Sequence, residues 1–249
     1  MKRCFTILML LALVGACATT ADAKRRVHRK AKPKAKTTAT VTTTGRAQGH
    51  DYVDLGLPSG TLWATMNVGA NSPEDYGYYF AWGEIAPKSV YDWSTYKWNN
   101  GDYDQWTKYC TDNFGYNGFV DNKSELDPAD DAATANWGSG WRMPSIKQME
   151  ELYENCTSEW TAINGVNGRL FKSKKNGASL FLPAAGGRWV DELDDLGADG
   201  GYWLRKLNSG YPSNAYYLGF CSDYYEFWDL DGWSRYGGLS VRAVRVSKN

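Results

Sequence analysis

Residues 223–236 read DYYEFWDLDGWSRY. Flat aromatics, carboxylates, an arginine and a hydroxyl alternate within this one stretch. The mixture suits recognition better than bond breaking. A sugar site needs aromatic faces to cover apolar ring patches, and a few fixed polar groups to read hydroxyls. Protein-binding surfaces are enriched in Tyr, Trp and Arg as well. The candidate ligand-binding residues are therefore Tyr224, Trp228, Asp229, Asp231, Trp233 and Arg235, joined by Trp203 from an earlier strand. If 224–228 is a strand, Tyr224, Glu226 and Trp228 share one face. A second reading puts Trp228 and Trp233 in an irregular core, because large aromatics serve cores and interfaces alike.

Other chemistry has less to work with. Both histidines, His28 and His50, precede the body that begins at Asp51. That body therefore lacks Ser-His-Asp or Cys-His machinery and His-ligated zinc. Two carboxylates at the right separation could hydrolyse a glycosidic bond, but no pair stands out. Asp229 and Asp231, or Asp194 and Asp195, offer hard oxygens to calcium, yet the twelve-residue calcium loop with its closing Glu is absent. No cofactor is expected, with calcium at Asp229 and Asp231 the weaker alternative. Cys110, Cys156 and Cys221 are an odd number with no CxxC spacing, so one pair could bridge, and three pairings stay open.

Charge divides the chain. Its 28 basic and 28 acidic residues cancel, but from Asp51 onward 17 basic face 27 acidic ones. An acidic body argues against nucleic acid as a partner. Residues 1–23 read as an export signal: Lys2 and Arg3, then an apolar run over 5–16 that is too short to span a bilayer. Cleavage after Ala23 competes with a lipobox that would place a lipid on Cys17. Either route exports the protein to periplasm, cell surface or medium. Residues 24–48, basic then rich in Thr and Ala, read as an unfolded linker that either contacts the envelope or simply spaces the domain from it. One domain is expected over 49–249.

The elements that must hold these groups are short. The clearest is a helix after Pro144, with Ser145 as N-cap and Gln148 three residues on, a capping box. Its apolar stripe is Ile146, Met149, Leu152, Tyr153 and Cys156. A second helix is expected behind Asp127 as N-cap, and a capped helical turn at 72–75. Strands are expected at 62–67, 78–82, 169–173, 179–183, 202–205, 215–221, 224–228 and 240–246. Lys174-Lys175-Asn176-Gly177 supplies a hairpin turn. Residues 85–122 read as a long ordered loop with aromatic anchors. The fold class is α+β, with a mostly antiparallel sheet.

Three segments carry a resemblance: YVDLGLPSGTLWATMNVGA (52–70), DAATANWGSGWRMPSIKQMEELYENC (131–156), and LFLPAAGGRW, GYWLR, AYYLGF and GLSVRAVR between 180 and 245. Their order and spacing resemble the Fibrobacter succinogenes major paralogous domain family, exported domains abundant in gut-type Bacteroidetes. More distantly, the Trp141, Arg142, Pro144, Ser145 and Gln148 motif is similar to a segment of formylglycine-generating enzymes. This implies a C-type-lectin-like fold whose early and late strands pair and whose late loops bind ligand. Arg142 is then either a ligand clamp or a structural arginine stacked on Trp141. The enzyme branch uses two neighbouring cysteines near the C-terminus to hold copper, whereas Cys221 stands alone, and Met66 stands where relatives commonly have Cys. The resemblance implies a non-catalytic binding module whose partner is a glycan or a surface protein. The alternatives are an envelope enzyme, as a degenerate relative or a carboxylate-based hydrolase, and a purely structural domain.

Overall fold

Capping and turn chemistry set the local structure. The computed structural model describes residues 40–111, 117–208, 210–223, 225–226 and 232–246, with only the backbone described at 225, 226 and 246. The export signal, Cys17 and the basic part of the linker lie outside the described residues. In chain order the first elements are β1 (Gly45–Ala47), β2 (His50–Asp54), β3 (Thr61–Ala64), β4 (Tyr79–Phe80), α1 (Ala132–Trp137) and α2 (Ile146–Asn155). Then come β5 (Cys156–Ile163), β6 (Val166–Ser173), β7 (Ser179–Pro183), β8 (Gly187–Trp189) and β9 (Glu192–Asp194). Last are β10 (Gly200–Leu207), β11 (Asn214–Phe220), β12 (Tyr225–Glu226), β13 (Trp233–Ser234), β14 (Leu239–Ser240) and β15 (Val244–Val246). The class is α+β, with sheet predominating.

α2 forms where the capping box predicts it. Ser145 Oγ accepts from Gln148 N at 3.2 Å, and Gln148 Oε1 accepts from Ser145 N at 3.0 Å. Met149, Leu152 and Cys156 are buried, but Tyr153 is exposed, so the stripe is narrower than expected. α1 starts later than expected. Asp127 makes no side-chain cap, whereas Asp131 Oδ1 accepts from Thr134 N at 3.0 Å. Pro128–Asp130 ahead of it is a single 3-10 turn. Residues 72–75 form a turn rather than a helix, with the Asp75 carboxylate accepting from Asn71 N and Ser72 N.

Four sheets organise the strands. β1, β2, β3 and β15 lie in that order, and β15 pairs antiparallel with β3, Val246 opposite Thr61. Early and late strands thus meet. The order β12-β11-β10-β14-β4 makes the central sheet, with β13 also on β11 and one parallel pairing between β10 and β14. β5-β6-β7 and β8-β9 complete the set. Residues in left-handed backbone close two hairpins: Gln48 and Gly49 before β2, Asn164 and Gly165 before β6. The linker joins the fold sooner than its composition suggests, since Thr42 N bonds Ser179 O at 3.1 Å and β1 pairs with β2. Backbone pairing, not apolar burial, captures it.

The strand expected at 240–246 is two strands joined by a buried link. Val241, Arg242 and Ala243 are all buried, so this stretch has no alternation between a buried and an exposed face. Arg242 donates from Nε to Asn67 Oδ1 at 2.9 Å, and from Nη1 to the carbonyls of Ala64, Thr65 and Phe181. Burial pushes its guanidinium down to about 10. The core falls into three clusters. Cys110 and Cys156 belong to different clusters, and no disulfide joins Cys110, Cys156 and Cys221.

Candidate functional site

Burial separates the expected ligand residues. Trp203 and Arg235 are at 0% exposure, so both leave the candidate surface. Trp203 sits mid-sheet and donates from Nε1 to Phe80 O at 2.7 Å. Arg235 donates from Nε to Tyr96 Oη at 2.9 Å, from Nη1 to the carbonyls of Tyr109 and Pro212, and from Nη2 to that of Lys108. Its guanidinium lies 4.5 Å from the Trp106 ring centre and 5.3 Å from that of Trp82. It ties Tyr96, Lys108 and Tyr109 of the long loop to Pro212 just before β11, and it is buried away from any ligand. Tyr224, Trp228, Asp229 and Asp231 lie outside the described residues. Trp233 keeps 37% of its surface exposed.

Of the motif residues, Ser145 and Gln148 form the cap of α2. Trp141 is fully buried, and Arg142 pairs backbone to backbone with Val244 at 2.9 and 2.8 Å. The cation over the Trp141 ring comes from Arg245, at 5.4 Å, rather than from Arg142. Nearby, Asp131 accepts from Met143 N at 2.9 Å, and burial raises its carboxyl above the usual range against the pull of these bonds and of Arg142.

Around Trp233 the fold assembles an aromatic platform. Trp189, 36% exposed, meets Trp233 edge to face at 5.8 Å and Tyr236 at 4.6 Å. Tyr217 supports Trp233 from β11 at 5.7 Å, and Trp93 supports Tyr236 from the long loop at 4.5 Å. The two exposed indoles therefore pack on one another and on further aromatic rings. Trp189 ends β8, and the next residue, Val190, has φ +55°. A β-branched residue there is a genuine outlier, and left-handed backbone costs roughly 1–2 kcal/mol. Paired bonds with Tyr91 hold it: Tyr91 N to Val190 O at 2.7 Å, and Val190 N to Tyr91 O at 2.9 Å. Strain of this kind concentrates at functional sites.

The other side of the same hairpin walls a cleft of ≈ 580 Å³. Tyr78, Tyr79, Lys88, Tyr91, Arg188 and Asp191 are among its lining. Tyr79 donates its hydroxyl to Ala185 O at 2.6 Å, and Tyr91 donates to Tyr79 O at 2.7 Å. Burial pushes the Tyr79 phenol up to about 12 and that of Tyr91 upward too, so both are neutral donors at neutral pH. Lys88 is committed to Glu84 Oε1 at 2.9 Å and Thr95 O at 3.1 Å. The Arg188 guanidinium lies 5.4 Å above the Tyr79 ring centre. Its backbone is fixed by Gly238 at 2.8 and 2.9 Å, where any side chain would strike the Tyr91 ring.

Arg188, Trp189 and Val190 escaped the residue-by-residue reading. The Gly-Gly-Arg-Trp-Val-Asp-Glu stretch has no Asn-Gly turn, and no propensity places Val in left-handed backbone. The available signal was the isolated Trp189 between two glycines and two acids, a poor setting for a core residue. Among the described residues no group of three or more His, Cys, Asp or Glu could hold a metal ion, and no helix is long and apolar enough to cross a membrane. No family model, curated protein or solved structure matches the chain.

Proposed function

We propose that this chain is an exported, non-catalytic binding module of the cell envelope or surface, with a C-type-lectin-like fold, and that it recognises a glycan. The observation that carries this reading is the exposed Trp189–Trp233 pair, held by Tyr217 and Tyr236 beside an open cleft. Two indoles packed against neighbouring rings offer apolar surface to sugar rings at a reduced entropic cost. The cleft adds Arg188, a polar group with donors to spare for a sugar oxygen. The pairing of β3 with β15 supports the fold assignment. The fold alone does not specify a ligand, so the function rests on the site.

Titration of the protein with oligosaccharides, followed by tryptophan fluorescence, tests it. A saturable change is expected that Trp189→Ala removes while the variant remains folded. Binding unaffected by both Trp189→Ala and Trp233→Ala would refute the platform.

A further inference from the structure

We propose that the cleft beside the β8–β9 hairpin is a subsite for one sugar carboxylate, a uronic acid unit in an otherwise neutral glycan, with Arg188 as its charge partner. This rests on the glycan-binding reading and names the sugar class that the site selects.

The cleft holds one cation with unspent hydrogen-bonding capacity. Arg188 is half-buried, and its guanidinium is held above Tyr79. Among the described residues it makes no side-chain hydrogen bond and no carboxylate lies within ion-pair distance. The other cation of the cleft, Lys88, is neutralised by Glu84. The phenols of Tyr79 and Tyr91 already serve backbone carbonyls. Arg188 is thus the group with donors to spare, and its planar fork matches a carboxylate bidentately. Stacking on Tyr79 sets that fork in place before any ligand arrives.

A ring must sit beside the carboxylate, and the cleft supplies a wall for it. Tyr78 is 49% exposed, and its ring packs edge to face on Phe80 at 6.4 Å. It rests over Gly69, where a side chain would collide with it. One ring face is therefore available to a pyranose.

The surrounding charge limits how many carboxylates the ligand carries. Asp191, Glu192, Asp194 and Asp195 are exposed on and after the same hairpin, and the chain from Asp51 onward is strongly acidic. Like charges repel within the screening distance, about 8 Å at physiological ionic strength. A densely charged polyuronate is disfavoured, whereas a lone uronate flanked by neutral sugars meets Arg188 without that penalty. Asp191 lines the cleft yet forms no ion pair with Arg188, so it shapes the selection by repulsion.

Isothermal titration of the whole protein with two probes decides the matter: an aldobiouronic acid (one uronic acid joined to one neutral sugar) and its carboxyl-reduced counterpart. Wild type is expected to bind the acid form about tenfold more tightly or better, the worth of one charge-assisted contact. Arg188→Gln is expected to bring both probes to the level of the reduced form, Arg188→Lys to keep part of the preference, and Asp191→Asn to enhance it. Equal affinities in wild type would overturn the subsite whatever any variant does, as would a preference that survives Arg188→Gln. Binding of neutral oligosaccharides with no response to either probe would overturn the subsite and leave the glycan reading standing. Failure of every glycan would overturn both.

Discussion

Trp189 and Trp233 meet edge to face at 5.8 Å, one at the end of β8 and the other at the start of β13. Neither strand pairs with the other, so the contact is made by side chains alone. Tyr236 and Tyr217 brace the pair from beneath and beside. Gly237 permits the arrangement, since a Cβ there would lie 2.6 Å from Trp233 Nε1. The platform is thus a product of the fold rather than of a single loop.

Burial sorts the tryptophans into two kinds, and stability measurements should separate them. Trp203→Ala is expected to destabilise by about 3–5 kcal/mol, the usual cost of emptying an aromatic core position. Trp189→Ala should cost less, about 1–2 kcal/mol, because Trp189 is partly exposed yet packs on Trp233 and Tyr236. Urea unfolding of both variants checks the contrast. Comparable losses would place Trp189 in the core.

Arg235 is expected to be a stability residue with no role in binding. Replacing it by Met removes four hydrogen bonds from a charged donor and leaves three carbonyls and the Tyr96 hydroxyl to find new partners. Bonds to charged groups are worth about 1.5–3 kcal/mol each and do not add fully, so a loss above about 3 kcal/mol is expected. Thermal melts read it directly. A variant as stable as wild type would contradict the packing described.

Val190→Gly should stabilise the protein by about 1 kcal/mol, because glycine adopts φ +55° without the Cβ clash. Glycine also widens the unfolded ensemble, which trims the gain. Chemical unfolding tests the sign. A large destabilisation would mean that the valine side chain contributes packing beyond its exposed position.

Asp131 gives the stability a pH signature. Its folded carboxyl titrates above the ordinary value of 3.8 because burial disfavours the charge. The folded state then binds the proton more tightly than the unfolded state does. As pH falls through the raised folded value towards 3.8, this group's contribution moves in favour of folding, and above that window the contribution is absent. The stability of wild type relative to Asp131→Asn should therefore improve as pH drops from neutral towards 4. Unfolding curves for both proteins across that range check it. A difference that worsens with acid would show that the cap bonds to Thr134 and Met143 outweigh desolvation.

Local rules exposed much of the fold. The Ser145–Gln148 capping box, the Asn176-Gly177 turn and the strands at β7, β10 and β11 follow from short-range chemistry that the sequence carries openly. Asp131 rather than Asp127 caps α1 because the choice depends on Met143, twelve residues away, whose N–H shares the same carboxylate. The site was legible only in part. Trp233 was visible as an aromatic among polar residues, while Trp203 and Arg235 looked equally suitable. What separates them is burial, set by the crossing of β10 between β11 and β14 and by the long loop folded over Arg235. The hairpin bearing Arg188 and Trp189 depends on a strained Val190 that Tyr91 holds from nearly a hundred residues away.

The most direct test is a glycan array run with the purified protein, in calcium and again in chelator, beside Trp189→Ala and Trp233→Ala. Saturable binding to one glycan class is expected, unchanged by chelator and lost in both variants while they remain folded. Array-wide silence from folded wild-type protein would contradict this expectation and turn the platform towards a surface protein. Binding that both variants retain would equally contradict it.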